Sequence, residues 1–305
     1  MKMIMRAYRV FPVAMLLAVL LPGDLTAGAA DKPLVLAATI FPAVDIVRRV
    51  AGPDVRVIQV LPAGASPHTF DLTPARIREL QAVRVIFKIG GIDDWIDGVG
   101  ESLPRAAVVA LHKGIVRRPF HGHGHGHDHG SPQHGEDFDP HYWLNAENGM
   151  IMARNVAAAL AALDPGRAAV YEENRRGYSR ELARLHDELK TVLSGLKQNR
   201  MIVFHDAWRY FAAAYGLEIA AVFQASPGQE PTPRSLQKIY ELAETSGTRV
   251  IFSEPQLPAT SIEPLRRDLG LRLVVLDPLG GAAPGDSYAG MLRRIARAVR
   301  LALER

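Results

Sequence analysis

Short apolar runs that alternate with helix-like segments restrict the fold of this chain more than any other feature. Such alternation is typical of βαβ units built around parallel sheets. The second half of the chain repeats the scheme of the first half, so the sequence predicts an α/β protein with two lobes. The predicted strands lie at residues 33–38, 55–61, 84–89 and 107–111 in the first half and at residues 201–204, 218–223, 249–253 and 271–276 in the second half.

Several predicted helices carry clear signals for their start or their length. Thr73 and Thr232 each precede a proline, and threonine is a good cap for a helix whose first turn contains proline. Asp286 is predicted to cap a C-terminal helix. Residues 166–197 carry tyrosine and leucine at helical spacing, and a helix of about 30 residues spans about 45 Å. That length suits a rigid connection between two lobes.

The start of the chain has the pattern of a secretory signal peptide. Lys2, Arg6 and Arg9 precede an apolar stretch, which ends near the small residues Ala-Gly-Ala at 27–29. We therefore predict that the signal peptide is cleaved and that the mature protein is periplasmic. The predicted segments are the signal peptide at 1–29, an N-terminal α/β lobe at 30–165, a linking helix at 166–197 and a C-terminal α/β lobe at 198–305.

The composition limits the chemistry of any metal site. The chain has no cysteine, so neither a disulfide nor a thiolate metal site can form. A transition-metal site must therefore be built from His, Asp and Glu. The formal net charge is +4 at pH 7, and the basic residues of the predicted signal peptide contribute to it. The charge of the mature chain therefore does not indicate a nucleic-acid partner.

A histidine-rich stretch occupies residues 121–134. Six of the 11 histidines of the chain fall within it, most of them separated by single glycines. Histidine-rich tracts are typical of metal binding, and glycine removes backbone preference, so we expect a mobile loop that collects metal. A solvated loop without a role is the alternative interpretation.

Four possible metal ligands are predicted near the carboxyl ends of strands. His68 follows the second strand, and His141 lies on the loop after the last strand of the first half. His205 and Asp277 end strands of the second half. Ligands of open α/β sheets collect at these strand ends, so two facing lobes could bring the four residues together. Three imidazoles and one carboxylate make a tetrahedral set that suits zinc.

Neighbouring residues leave some assignments open. Glu254 also lies at a strand end and competes with Asp277 for the fourth position, which water could fill instead. Asp139 and Asp206 adjoin candidate ligands in sequence and are expected to support them.

The motifs around these residues resemble those of ZnuA-like proteins, the periplasmic solute-binding components of ABC-type zinc and manganese importers. The motifs read Gly-Ala-Ser-Pro-His at 64–68, Asp-Pro-His-Tyr-Trp-Leu at 139–144, Phe-His-Asp-Ala at 204–207 and Leu-Asp-Pro-Leu-Gly at 276–280. They occur in the family's order over nearly the whole mature chain. The resemblance implies two Rossmann-like (β/α) lobes joined by one long rigid helix, with metal in the cleft between them.

The same resemblance implies the ligands and the function. His68, His141 and His205 match the family's three histidine ligands and Asp277 its carboxylate, whereas manganese-type members have glutamate at the position of His205. The implied function is high-affinity capture of Zn²⁺ in the periplasm and its delivery to an ABC transporter permease in the inner membrane.

The resemblance further implies a separate ATPase subunit, a monomeric binding protein, no nucleic-acid partner and Zn²⁺ as the transported ligand. A secreted zinc hydrolase and a zinc chaperone are the alternatives. The sequence lacks the His-Glu-x-x-His run of one large class of zinc hydrolases, which favours a binding protein over an enzyme.

Overall fold

The computed structural model describes residues 33–119, 138–224, 231–245 and 248–304. The predicted signal peptide at 1–29 and the histidine-rich stretch at 121–134 lie outside these residues, so both remain predictions. No helix among the described residues combines the length and apolarity that a membrane span requires.

Two four-stranded parallel sheets form the framework of the described chain. Their strands are β1 (Val35–Ala38), β2 (Arg56–Gln59), β3 (Val85–Lys88), β4 (Ala107–Ala110), β5 (Arg200–His205), β6 (Glu218–Gln224), β7 (Val250–Ser253) and β8 (Arg272–Val275). The first sheet has the order β2-β1-β3-β4 and the second β6-β5-β7-β8, so both halves use the same topology. The predicted α/β class with two lobes is confirmed, and so is each predicted strand.

Helices connect the parallel strands. They are α1 (Phe41–Ala51), α2 (Pro74–Glu79), α3 (Trp95–Ser102), α4 (Ala146–Leu163), α5 (Ala168–Leu193), α6 (Arg209–Tyr215), α7 (Pro233–Thr245), α8 (Glu263–Leu269) and α9 (Tyr288–Leu303). Helices α3 and α8 were not predicted. Both are short, and α3 contains glycine, which disfavours a helix interior.

The helix caps agree with the sequence at two positions out of three. The Thr73 hydroxyl accepts a hydrogen bond from the backbone of Arg76, and Thr232 accepts one from Ser235. The predicted cap at Asp286 is wrong, because Ser287 caps α9. The Asp286 carboxylate instead accepts hydrogen bonds from the backbone N–H groups of Gly281 and Ser287, and so it closes the turn before the helix.

The long helix α5 connects the two halves. It has 26 residues, which corresponds to about 39 Å, and is therefore somewhat shorter than predicted. Its buried face packs against α1 and α4 of the first half and against α9 of the second. The side chains of this face are Tyr171, Tyr178, Leu182, Leu185, Leu189 and Leu193. They belong to an apolar cluster that continues through both halves.

Candidate metal centre

Three histidines converge at the carboxyl ends of the two sheets. One ring nitrogen each from His68, His141 and His205 lies within 4.8 Å of the other two. The ring centroids of His141 and His205 are 4.9 Å apart, and that of His68 lies 5.6 and 5.2 Å from them. Nitrogens bound to one tetrahedral zinc at about 2.0–2.1 Å lie about 3.4 Å apart, so small ring movements would close the site around an ion.

His205 is oriented by a carboxylate behind it. Nδ1 of His205 lies 2.9 Å from Oε1 of Glu254, and the same oxygen accepts a hydrogen bond from Nε1 of Trp208. His205 and Glu254 are both buried. A carboxylate acceptor keeps the proton on Nδ1, which leaves the lone pair of Nε2 free. Nε2 is buried and has no hydrogen-bond partner among the described residues.

His141 is held in the same way by Asp139. One oxygen of this carboxylate lies 2.8 Å from Nδ1 of His141 and accepts the backbone N–H of His141 at 2.9 Å. The next residues form a 3₁₀ turn, Tyr142–Leu144, whose side chains are all buried. Nε1 of Trp143 donates to the carbonyl of Pro278 in the second half of the chain. The loop is therefore fixed on both sides of the imidazole.

His68 lies on the loop that follows β2, and helix α3 supports that loop. Nε1 of Trp95 donates to the carbonyl of Pro67 at 3.1 Å, and the Trp95 ring packs edge-on against Phe70. His68 itself is half-buried. Pro67 belongs to the sequence motif that ends in His68, whereas the role of Trp95 was not predicted because helix α3 was not predicted.

The electrostatics of the three imidazoles differ. Burial, together with the neighbouring rings of His141 and His205, lowers the pKa of His68 to about 2. Burial also lowers the pKa of His141 well below its usual value. For His205 burial acts in the same direction, but the charge of Glu254 and the hydrogen bond to it outweigh burial and raise the pKa.

The supporting carboxyl of Asp139 is perturbed as well. Burial raises the pKa of Asp139 to about 7, although the hydrogen bond from the His141 backbone lowers it. A cation among the imidazoles would favour the ionised carboxylate, because opposite charges stabilise each other at short range.

A small cavity adjoins the three rings. Its volume is about 20 Å³, which is room for about one water-sized species. Trp143, Leu257 and Leu279 line its apolar side, and Glu254 and Gln256 are polar residues of its wall. The cavity therefore has room for an ion or a water molecule beside the three rings.

The fourth predicted ligand, Asp277, lies outside the group of three. Its Oδ1 accepts the backbone N–H of Leu279 at 3.0 Å and Nε2 of Gln256 at 3.2 Å. The competing residue Glu254 is bound to His205 and Trp208. The structure thus brings together His68, His141 and His205. Asp277 does not line the cavity but contacts Gln256, which does.

The two expected supporting aspartates have different positions. Asp139 contacts His141 as predicted, whereas the Asp206 carboxylate accepts a hydrogen bond from Nε of Arg209 at 2.8 Å. Glu254 takes the supporting position for His205 instead. The sequence places Glu254 at a strand end, but only the fold shows that this strand, β7, pairs with β5, which ends in His205.

The donor set determines the chemistry of the centre. Three imidazole nitrogens, two of them on rings held by buried carboxylates, suit transition metals such as Zn²⁺, whereas Ca²⁺ and Mg²⁺ require oxygen ligands. The hydrogen bonds behind His141 and His205 fix their tautomers and raise their basicity as ligands. The arrangement can hold one ion between the three imidazoles, next to the apolar side of the cavity.

Comparison with known proteins identifies similar chains. The sequence profile of the family described as zinc-uptake complex component A, periplasmic (ZnuA), matches residues 36–302. The high-affinity zinc uptake system protein ZnuA of Brucella abortus is 30% identical over 280 residues, covering 79% of this chain and 83% of its own length. The iron ABC transporter substrate-binding lipoprotein MtsA of Streptococcus pyogenes is 27% identical over 256 residues, covering 82% of each chain.

A solved structure resembles the fold over most of its length. The crystal structure of a zinc-bound deletion mutant of ZnuA superposes with a TM-score of 0.77 at 26% sequence identity. It covers 89% of this chain and 98% of its own. The two relatives named above are described for different metals, so the name of a relative is weaker evidence for the metal than the donors of this site.

Proposed function

Because the chain belongs to the periplasmic zinc-uptake component A family, we propose that it captures Zn²⁺ with high affinity and delivers it to an ABC transporter permease for import. Zn²⁺ is the transported ligand, and the protein is the solute-binding component of the uptake system. Members of this family act in the periplasm, and the proposed route there is the signal peptide at 1–29.

The observation that carries the proposal is the convergence of three imidazoles with their supporting carboxylates. His68, His141 and His205 each offer one nitrogen to a common point. Glu254 and Asp139 bind the other ring nitrogen of His205 and His141. A nitrogen-rich site favours Zn²⁺ over Mn²⁺, which prefers carboxylates.

The proposed ligands are His68, His141 and His205, with Asp277 as the predicted fourth. Glu254 is proposed as a supporting residue of His205 and not as a ligand, since its carboxylate is bound to His205 and Trp208. Oδ1 of Asp277 is already bound to Gln256 and Leu279. Water or another residue of the cavity wall is the alternative donor at this position.

The permease lies in the inner membrane and works with a separate ATPase subunit, while the binding protein acts as a monomer. The proposed role is capture and delivery of Zn²⁺ rather than catalysis, because the chain belongs to a family of uptake components.

Zinc competition titration tests this function. Metal-free protein is titrated with Zn²⁺ against a chromophoric chelator, and we expect one tight site in the described part of the chain. The variant with His68, His141 and His205 all replaced by alanine should lose that site. Tight binding that survives the triple replacement would show that the proposed centre is wrong. A turnover assay of the zinc-loaded protein with ester and peptide substrates tests the hydrolase alternative.

A further inference from the structure

The turn that follows His141 is held by two groups from the other half of the chain. The carbonyl of Pro278 accepts a hydrogen bond from Nε1 of Trp143 at 2.8 Å. A second contact reaches Trp143 from the start of α9. The hydroxyl of Tyr288 donates to the Trp143 carbonyl, and the carbonyl of Asn145 lies 3.3 Å from the same hydroxyl oxygen. The backbone just beyond His141 is therefore bound to the second half, although His141 belongs to the first.

Tyr288 is itself fixed by contacts to two helices of the first half. It is the first residue of α9, its side chain is fully buried, and its backbone N–H donates to Asp45 of α1 at 3.1 Å. Its ring packs against α4 at Gly149, where an added Cβ would lie 2.8 Å from Cε1 of the ring and 2.9 Å from its hydroxyl. Only glycine leaves room for the ring there. The hydroxyl of Tyr288 is therefore held in one position beside the turn.

The turn connects this hydroxyl to the metal centre. The backbone N–H of Leu144 donates to the His141 carbonyl at 3.2 Å, so the turn begins at the proposed ligand itself. The ring of Trp143 lies 5.3 Å from the imidazole of His141, measured between centroids, and lines the cavity beside it. A buried carbonyl that loses its donor is costly to leave unpaired, so the turn would shift toward another partner. Such a shift would move His141 and the cavity wall together.

We propose that Tyr288 is a positioning residue of the metal centre: its hydroxyl fixes the turn after His141 and thereby holds the His141 imidazole in place for the ion. This inference rests on the proposed function as a zinc-binding protein. The hydroxyl belongs to α9 and the imidazole to the first half of the chain. Zinc affinity therefore depends on the packing between the two halves as well as on the ligands, through a side chain that does not touch the ion.

Two matched variants test the proposal. Tyr288→Phe removes the hydroxyl but keeps the ring, and we expect it to weaken Zn²⁺ binding by about 3–10-fold, the range of one hydrogen bond. Tyr171→Phe is the control, because Tyr171 is equally buried but its hydroxyl contacts Asp164, at 3.1 Å, instead of the turn. It should change the affinity by less than about twofold. Binding is measured by chelator competition, after thermal unfolding without metal has shown that each variant is folded. Gly149→Ala, which keeps the Tyr288 hydroxyl but displaces it, replaces Tyr288→Phe if that variant is unfolded.

A double-mutant comparison separates positioning of His141 from a merely structural role. Tyr288→Phe is combined with His141→Ala and, separately, with His68→Ala, and Zn²⁺ affinity is measured against a chelator of matched strength. The hydroxyl acts through His141, so its removal should cost less than about twofold in the first background and its full factor in the second. An equal cost in both backgrounds, an unchanged affinity in Tyr288→Phe alone, or an equal loss in Tyr171→Phe overturns the proposal. Failure of the wild-type protein to bind Zn²⁺ tightly would instead refute the proposed function, which is a distinct result.

Discussion

Nδ1 of His205 lies 2.9 Å from Oε1 of Glu254, and this pair joins the ends of the two central strands of the second sheet. Strands β5 and β7 pair Ile202 with Ile251 and Val203 with Phe252. The same offset along the chain leads from His205 to Glu254. The register of the sheet thus positions the carboxylate behind the imidazole.

Replacing Glu254 should weaken zinc binding without removing a ligand. Glu254→Ala leaves Nδ1 of His205 and Nε1 of Trp208 without an acceptor, and loss of such a supporting group typically costs 10–100-fold in metal affinity. Glu254→Gln keeps an oxygen that can accept both bonds and should cost less. Chelator competition measures both. Asp206→Asn is the control, because Asp206 binds Arg209 rather than an imidazole; an equal loss there would contradict the assigned role.

The candidate ligands should form a hierarchy. His68→Ala, His141→Ala and His205→Ala should each lower zinc affinity strongly, because no neighbouring group can replace a missing nitrogen in a rigid frame. Asp277→Ala should cost less, since its carboxylate lies outside the group of three. Isothermal titration with Zn²⁺ gives the order. His112→Ala serves as the control histidine, because His112 lies outside the group of three and its Nδ1 contacts the Ile89 carbonyl at 3.2 Å. A larger loss of zinc affinity in Asp277→Ala than in the histidine variants would contradict this order.

The histidine-rich stretch should act as a collector of additional zinc. Its glycine-spaced imidazoles lose conformational entropy when they converge on one ion. The ligands of the folded site are already ordered, so they lose little entropy on binding. Deleting His121 to His134 should leave one tight site at nearly unchanged affinity while the total bound zinc falls. Titration of the intact and shortened proteins compares them. Loss of the tight site on deletion would mean that the stretch itself is the binding site.

The metal preference should depend on two residues together. His205→Glu introduces the glutamate of manganese-type relatives, but it places a second carboxylate beside buried Glu254. Like charges at this distance disfavour ionisation, so the single variant should bind both metals poorly. Adding Glu254→Gln should restore binding and shift the preference toward Mn²⁺. Competition between Zn²⁺ and Mn²⁺ in the single and double variants decides whether the carboxylate pair is the obstacle.

Asp286 should make stability depend on pH. Burial opposes ionisation, but the hydrogen bonds from Arg294, Gly281 and Ser287 and the charge of Arg294 lower the pKa of Asp286 overall. The stabilisation is therefore present above the unfolded pKa of about 3.9 and is lost as the pH falls through the folded value. Asp286→Asn should lower stability at pH 7 by about 1–2 kcal/mol, and the difference should shrink toward pH 3. Thermal unfolding across pH measures it.

The control for the pH prediction is Arg294→Gln. Arg294 is largely exposed, so its ion pair with Asp286 contributes little beside the backbone donors. This variant should unfold within a few degrees of wild type at every pH. A pH-independent difference between Asp286→Asn and wild type would exclude ionisation of Asp286 as the cause.

The sequence predicted strands and caps well because their signals are local. Thr73 caps α2 through a bond to a residue three positions away. Apolar runs mark the largely buried strands β1, β3, β5 and β7. The cap of α9 was assigned to Asp286 instead of Ser287 because the two residues adjoin and both residue types are good caps. Only the fold shows that Asp286 turns back to Gly281.

The candidate site could be predicted only in part. The histidines were found because imidazoles at strand ends are distinctive, but their partners depend on which strands are neighbours. Glu254 supports His205 since β7 pairs with β5, and Gln256 reaches the cavity through the turn after β7. Neither relationship follows from spacing along the chain.

Helix α5 joins the two halves through a shared core, and this has a consequence for how the chain folds. Its one buried face contacts α1 and α4 as well as α9, so neither half covers its own apolar surface alone. A fragment that ends before α5 or begins after it would expose part of that surface to water. The two halves repeat one topology, yet they share one apolar cluster, unlike domains on an extended linker that each have a core of their own.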